Sequence, residues 1–147
     1  MSQENEQLPP RLEEIVEDFQ YCEGREKLEL LLQYAENMSP LPDWLLEQRD
    51  QMEPVHECMT PVFITATTND HHMTFYFDVP QESPTVRGFA ALMSEGLQGA
   101  TPQEVLNVPE NFFARMGLDG VLTMRRLNGL GAILAHMKRL AAQAVEE

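Results

Sequence analysis

Cys58 stands in Pro54-Val55-His56-Glu57-Cys58-Met59-Thr60-Pro61-Val62-Phe63-Ile64, a short connection that runs into a β-prone stretch. A side chain in such a place is held by the scaffold yet can be presented to a partner. The chemistry it offers is that of a thiolate nucleophile. The other cysteine, Cys22, sits between Tyr21 and Glu23 at the end of a helical run, where half-buried thiols are common and inert. Two cysteines so far apart make a poor disulfide framework, and no Cys-x-x-Cys or His-x-x-x-His spacing supplies a metal site. Both thiols are expected to be reduced. On spacing alone, the bland reading of Cys58 as a core thiol at a strand start stays open. His56 lies two residues before Cys58, and in an extended segment the two side chains share a face, which would let the imidazole assist proton transfer. His71 and His72 read as turn residues, and His136 as a residue on the outer face of the last helix.

These residues need a scaffold, and the composition supplies one. A chain of 147 residues with 43% hydrophobic content fits a single domain over 1–147. Such a chain buries roughly 68–70% of the surface that its unfolded form exposes. Residues 1–9 are expected to be flexible. The net charge of −14 opposes the attraction that drives non-specific nucleic-acid binding, and it equally disfavours anionic lipid. Protein or small-molecule partners remain. The start, Met1-Ser2-Gln3-Glu4-Asn5-Glu6, has no basic n-region, and no apolar run approaches the roughly 18 residues of a membrane span. A cytoplasmic location is the expectation.

Pro9-Pro10 precede Leu12, Ile15, Val16 and Phe19, spaced as one buried helical stripe. After Gly24, Leu28, Leu31, Leu32 and Ala35 repeat that stripe, so a helical hairpin is predicted. Three prolines between Asn37 and Pro54 leave room for a short helix at Asp43–Leu46 within an irregular connection. The runs 62–67 and 73–79 read as strands with turn chemistry at Asn69-Asp70, and a further strand is predicted over about 53–57. Helices follow from Ser83-Pro84, and from Thr101-Pro102-Gln103-Glu104, which matches a capping box. Gly117 ends the next short helix. The last helix runs from Thr123 or Met124 to about Ala144, with Leu127, Leu130, Ile133, Leu134, Met137, Leu140 and Ala141 inward. The fold class is α+β, a small antiparallel β-sheet packed against helices.

Five segments together resemble a known family: Val55–Phe63, Val86-Arg87-Gly88, Thr101–Asn107, Phe113–Leu118 and Leu122–Leu130 occur in the order and at roughly the spacing of the SufE family of sulfur acceptors. The resemblance covers most of residues 10–142. It implies a fold shared with IscU-type scaffold proteins and a carrier rather than a stand-alone enzyme. Such a carrier takes persulfide sulfur from a SufS-type cysteine desulfurase and delivers it to a Suf-type iron–sulfur scaffold complex. It implies no cofactor beyond a transient persulfide on Cys58, because the pyridoxal phosphate belongs to the desulfurase. A thiolate can attack the electrophilic outer sulfur of a donor persulfide, so one accessible nucleophile is enough.

The same resemblance makes Arg126 a desulfurase contact, with Glu57, Met59 and His56 as further partner-binding candidates. Arg87 is a further candidate for such a contact, with a surface role the favoured reading. Glu57 stands where the family usually has glycine before the reactive cysteine, and Met59, Thr60 and Pro61 replace the usual polar residues after it. A negative charge beside the thiol opposes the thiolate, so activation in the complex is expected. Protection of a persulfide further predicts that Cys58 is tucked beneath its loop against Met59 or Phe63. Two other classes stand beside this reading: an IscU-like cluster scaffold, which normally needs several thiolates, and a non-catalytic protein-binding module.

Overall fold

In the computed structural model, which describes residues 8–58 and 60–146, the elements follow one another as α1 (Pro10–Tyr21), α2 (Arg25–Glu36), α3 (Asp43–Leu46), β1 (Glu53–Pro54), β2 (Phe63–Asn69), β3 (His72–Asp78), α4 (Pro84–Gly96), α5 (Pro102–Leu106), α6 (Phe112–Arg115) and α7 (Met124–Glu146). Residues 1–7, Met59 and Glu147 lie outside the described residues. Of the stretch 1–9 expected to be flexible, Leu8 is buried in the core.

Pro10 occupies the first turn of α1, where its missing N–H costs nothing, and Leu12, Ile15, Val16 and Phe19 are all buried as their spacing requires. The predicted helical hairpin is modified. Helices α1 and α2 both pack chiefly on α4 and touch each other where Phe19 meets Tyr34, with ring centroids 6.1 Å apart. Gly88 allows this, because a Cβ there would lie 2.2 Å from the Leu31 carbonyl oxygen. The α2 backbone therefore approaches α4 closely along Leu31 and Ala35, and Leu32, expected on the buried stripe, is turned outward and 39% exposed. Arg87, expected at the surface, is half-buried in the same seam. Its Nη1 donates to the Val79 carbonyl at 2.6 Å and its Nε to the Ala35 carbonyl at 3.2 Å, joining the end of α2 to the chain after β3.

The sheet is antiparallel in the order β1-β2-β3. Ile64 pairs with Phe77 and Ala66 with Phe75, so one face turns Ile64, Met73, Phe75 and Phe77 into the core against the helices. The other face is covered by the irregular segment before β1: Trp44 meets Tyr76 edge-on at 5.5 Å, and Arg49 pairs with Asp78. The hairpin turns at Asp70-His71, both with positive φ (55° and 69°), one residue later than expected. Asn69 instead closes the ladder opposite His72. Positive φ at both central residues suits the right-handed twist of the flanking strands. The predicted strand over 53–57 is shortened to two residues, because the chain turns after Val55.

Helix α5 begins with the complete capping box: Glu104 N–H donates to Thr101 Oγ1 at 3.2 Å, and Thr101 N–H to Glu104 Oε1 at 2.9 Å. Gly117 follows α6 with φ 79°. Along α7, Leu127, Leu130, Ile133, Leu134, Met137 and Ala141 are buried, which lays the helix across α5, α4 and the sheet. His136, expected on the outer face, is instead 6% exposed and bonded to Glu53 of β1. Among the described residues no helix is long and apolar enough to cross a membrane.

Candidate functional site

The loop that carries Cys58 is pinned at its root by two buried valines. Val55 N–H donates to the Val62 carbonyl at 2.9 Å, and both side chains enter the core. Inside that root, Cys58 N–H donates to the Val55 carbonyl at 3.2 Å, the i to i+3 bond of a tight turn. The segment from His56 to Cys58 is thus turned, not extended, and the shared face expected for His56 and Cys58 does not form. His56 is exposed and does not line the cavity beside the thiol. The returning limb is tied to the start of α4, where Thr60 Oγ1 donates to Ser83 Oγ at 3.3 Å.

The thiol of Cys58 is half-buried and packs against the core. It borders a cavity of about 820 Å³ lined by Glu57, Cys58, Thr60 and Val86, by Thr123 just before α7, and by Arg125, Arg126, Asn128 and Gly129 of α7. The expected shelter is therefore provided by a helix. A Cβ built on the buried Gly129 would stand 3.5 Å from Cys58 Sγ, so the absent side chain leaves the helix backbone facing the thiol. Phe63, expected to cover it, is 38% exposed and does not line this space. Met59 lies outside the described residues.

The N-terminal turn of α7 is built to face the cavity. Thr123 caps it, its Oγ1 accepting from Arg126 N–H at 3.3 Å and its carbonyl from Leu127 N–H at 3.0 Å. Leu127 goes inward, and Arg125 and Arg126 stay exposed. Among the described residues neither guanidinium has a carboxylate within ion-pair distance. These two cations, on a chain of net charge −14, add to the positive end of a 23-residue helix dipole. The rim of the cavity is thus a local basic spot beside one thiol, with the exposed Glu57 carboxylate as its counterweight. Such a rim suits an acidic surface or an anionic group delivered to Cys58. No three His, Cys, Asp or Glu side chains among the described residues gather as metal ligands would.

Three of the site residues proposed from sequence therefore meet at one cavity: Cys58, Glu57 and Arg126. Sequence reasoning missed Gly129 and Asn128 as wall residues. A glycine inside a strongly periodic helix was the available signal, because such a residue usually marks a close approach. Cys22 lies elsewhere, half-buried at the end of α1, where its N–H donates to the Phe19 carbonyl at 3.1 Å.

Comparison with known proteins adds three findings. The family described as "SufE: Fe-S metabolism associated domain" matches residues 13–141. An uncharacterised SufE-like protein of Mycobacterium tuberculosis is 39% identical over 93% of this chain and 95% of its own length, and a protein of Plasmodium falciparum named cysteine desulfuration protein SufE is 25% identical over 89% of this chain and 53% of its own. The solution structure of a hypothetical protein from Thermus thermophilus superposes with a TM-score of 0.84 at 36% identity, covering 96% of this chain and all of that one.

Proposed function

Because the chain belongs to the SufE family, we propose that it is a sulfur acceptor, taking sulfane sulfur from a cysteine desulfurase onto Cys58 and handing it on to iron–sulfur cluster assembly. The observation that carries this reading is a single half-buried thiol set at the mouth of a cavity whose opposite rim is the basic first turn of α7. A thiol so placed can meet a large partner at the loop while the bound sulfur stays out of bulk water. The relative named for cysteine desulfuration supports the same class of reaction.

In the transfer, the Cys58 thiolate attacks the outer sulfur of the donor's cysteine persulfide. A new S–S bond forms to Cys58, the donor's S–S bond breaks, and its electron pair leaves on the donor cysteine as thiolate. That thiolate takes up the proton that Cys58 gave away, so no external oxidant or reductant enters. Onward delivery repeats the exchange with an acceptor thiolate of a scaffold complex. The donor enzyme brings its own pyridoxal phosphate. Arg126, seconded by Arg125, binds an acidic patch on the desulfurase, while Glu57, His56 and Met59 form the loop side of that interface.

The test is intact-mass analysis after incubation with a cysteine desulfurase and cysteine. The chain gains the mass of one sulfur atom or a short chain, and alkylation mapping places it on Cys58. Label on Cys22, or no gain at all, refutes the assignment.

A further inference from the structure

Strand β1 is a poor anchor for the loop it starts. It has two residues, lies at the sheet edge, and one of the two is Pro54, which has no N–H to donate. Beyond the buried Val55 and Val62 that pin the root, a further contact holds the strand itself, directly before the turn that presents Cys58.

That further contact is a cluster that the acceptor chemistry leaves unused. His136 of α7 is 6% exposed, and its Nε2 lies 3.0 Å from Oε1 of Glu53 in β1. Arg139, one turn further on, reaches the same oxygen at 3.2 Å and sits within 3.3 Å of both ring nitrogens. The arginine is largely exposed, so its share of the clamp is screened by solvent. The imidazole bond is sheltered and joins a donor to a charged acceptor, the stronger kind. Gly129, which faces Cys58 Sγ, lies two helical turns earlier on α7, about 10 Å along its axis. One rigid helix thus fixes both the root of the loop and the wall against which its thiol rests.

We propose that His136 is a positioning residue: through Glu53 it sets how far the Cys58 loop opens from α7, and so when the thiol is exposed. Its functional consequence, control of sulfur loading, rests on the reading of Cys58 as the acceptor. The placement of the thiol does not.

Alkylation of the free, full-length chain tests this, with Cys22 in the same molecule as the internal reference. His136→Phe removes the donor and Glu53→Ala the acceptor. Each raises the labelling rate of Cys58 relative to Cys22 by about tenfold, the effect of losing one bond to a charged group on a local opening equilibrium. His136→Gln, which keeps an N–H at the end of the side chain, stays close to the parent. Glu53 is partly exposed and tolerates truncation, so Glu53→Ala decides the matter should His136→Phe not fold. An unchanged ratio in Glu53→Ala overturns the proposal, as does equal loosening of Cys22, or a His136→Gln variant as reactive as His136→Phe. No desulfurase is present. If these ratios hold while Cys58 gains no sulfur in the mass experiment, the acceptor reading fails and the clamp stands.

Discussion

Replacing Gly129 with alanine separates the packing of the thiol from the storage of sulfur. The new Cβ meets Cys58 Sγ at 3.5 Å, an ordinary contact, and α7 otherwise leaves it room. Removing an interior helical glycine stabilises by about 0.5–1 kcal/mol, and at this chain length each kcal/mol moves the melting temperature by about 2–4 °C. Gly129→Ala therefore melts roughly 1–4 °C higher. The loaded form behaves differently. An outer sulfur bonded to Sγ at about 2.05 Å and directed at that methyl would end roughly 1.5 Å from it, far inside contact. Orientations aimed at that methyl are closed, so the bound sulfur is pushed towards solvent. The variant accepts sulfur to the same extent but loses it several times faster to a soluble thiol, followed by mass spectrometry after the desulfurase is removed. A lower melting temperature, or a persulfide as long-lived as the parent's, refutes this account of the cavity.

Arg126→Ala leaves thermal stability unchanged or raises it slightly, because a first-turn cation opposes the helix dipole by about 0.3–1 kcal/mol. The same variant stimulates desulfurase turnover less at limiting carrier concentration, and a drop of several degrees in melting temperature would make Arg126 structural. Cys58 of the parent alkylates slowly in the free chain and faster when the desulfurase is present, while equal, fast labelling in both states rules out gating by the loop. Gly88→Ala drives a Cβ to 2.2 Å from the Leu31 carbonyl oxygen, a backbone atom that cannot swing aside. It costs about 1–3 kcal/mol or more, read from the denaturant midpoint, and an unchanged midpoint would mean that α2 and α4 separate freely.

Interactions that close within a few residues could be read without coordinates. The stripe of Leu12, Ile15, Val16 and Phe19, the Thr101–Glu104 capping box, the hairpin and the inward face of α7 all depend on neighbours one turn or one loop away. The proposal of Cys58 rather than Cys22 as the acceptor came from the order of five short segments around it. Pairings between distant segments were not. His136 lies at the edge of the apolar stripe, next to Met137, and period could not say whether an imidazole there would meet water or Glu53. Arg87 was read as a surface charge because its partners are two backbone carbonyls, which carry no sequence signature. His56 was placed beside Cys58 by assuming extended chain, and the hydrogen bond from Cys58 to Val55 turned it away. The sequence by itself determined most of the elements and the α+β class, and it singled out Cys58 as the candidate thiol. The tertiary structure alone decided what faces that thiol, because Gly129 and Arg126 are brought to its cavity by the packing of α7 across the sheet, which no local spacing encodes.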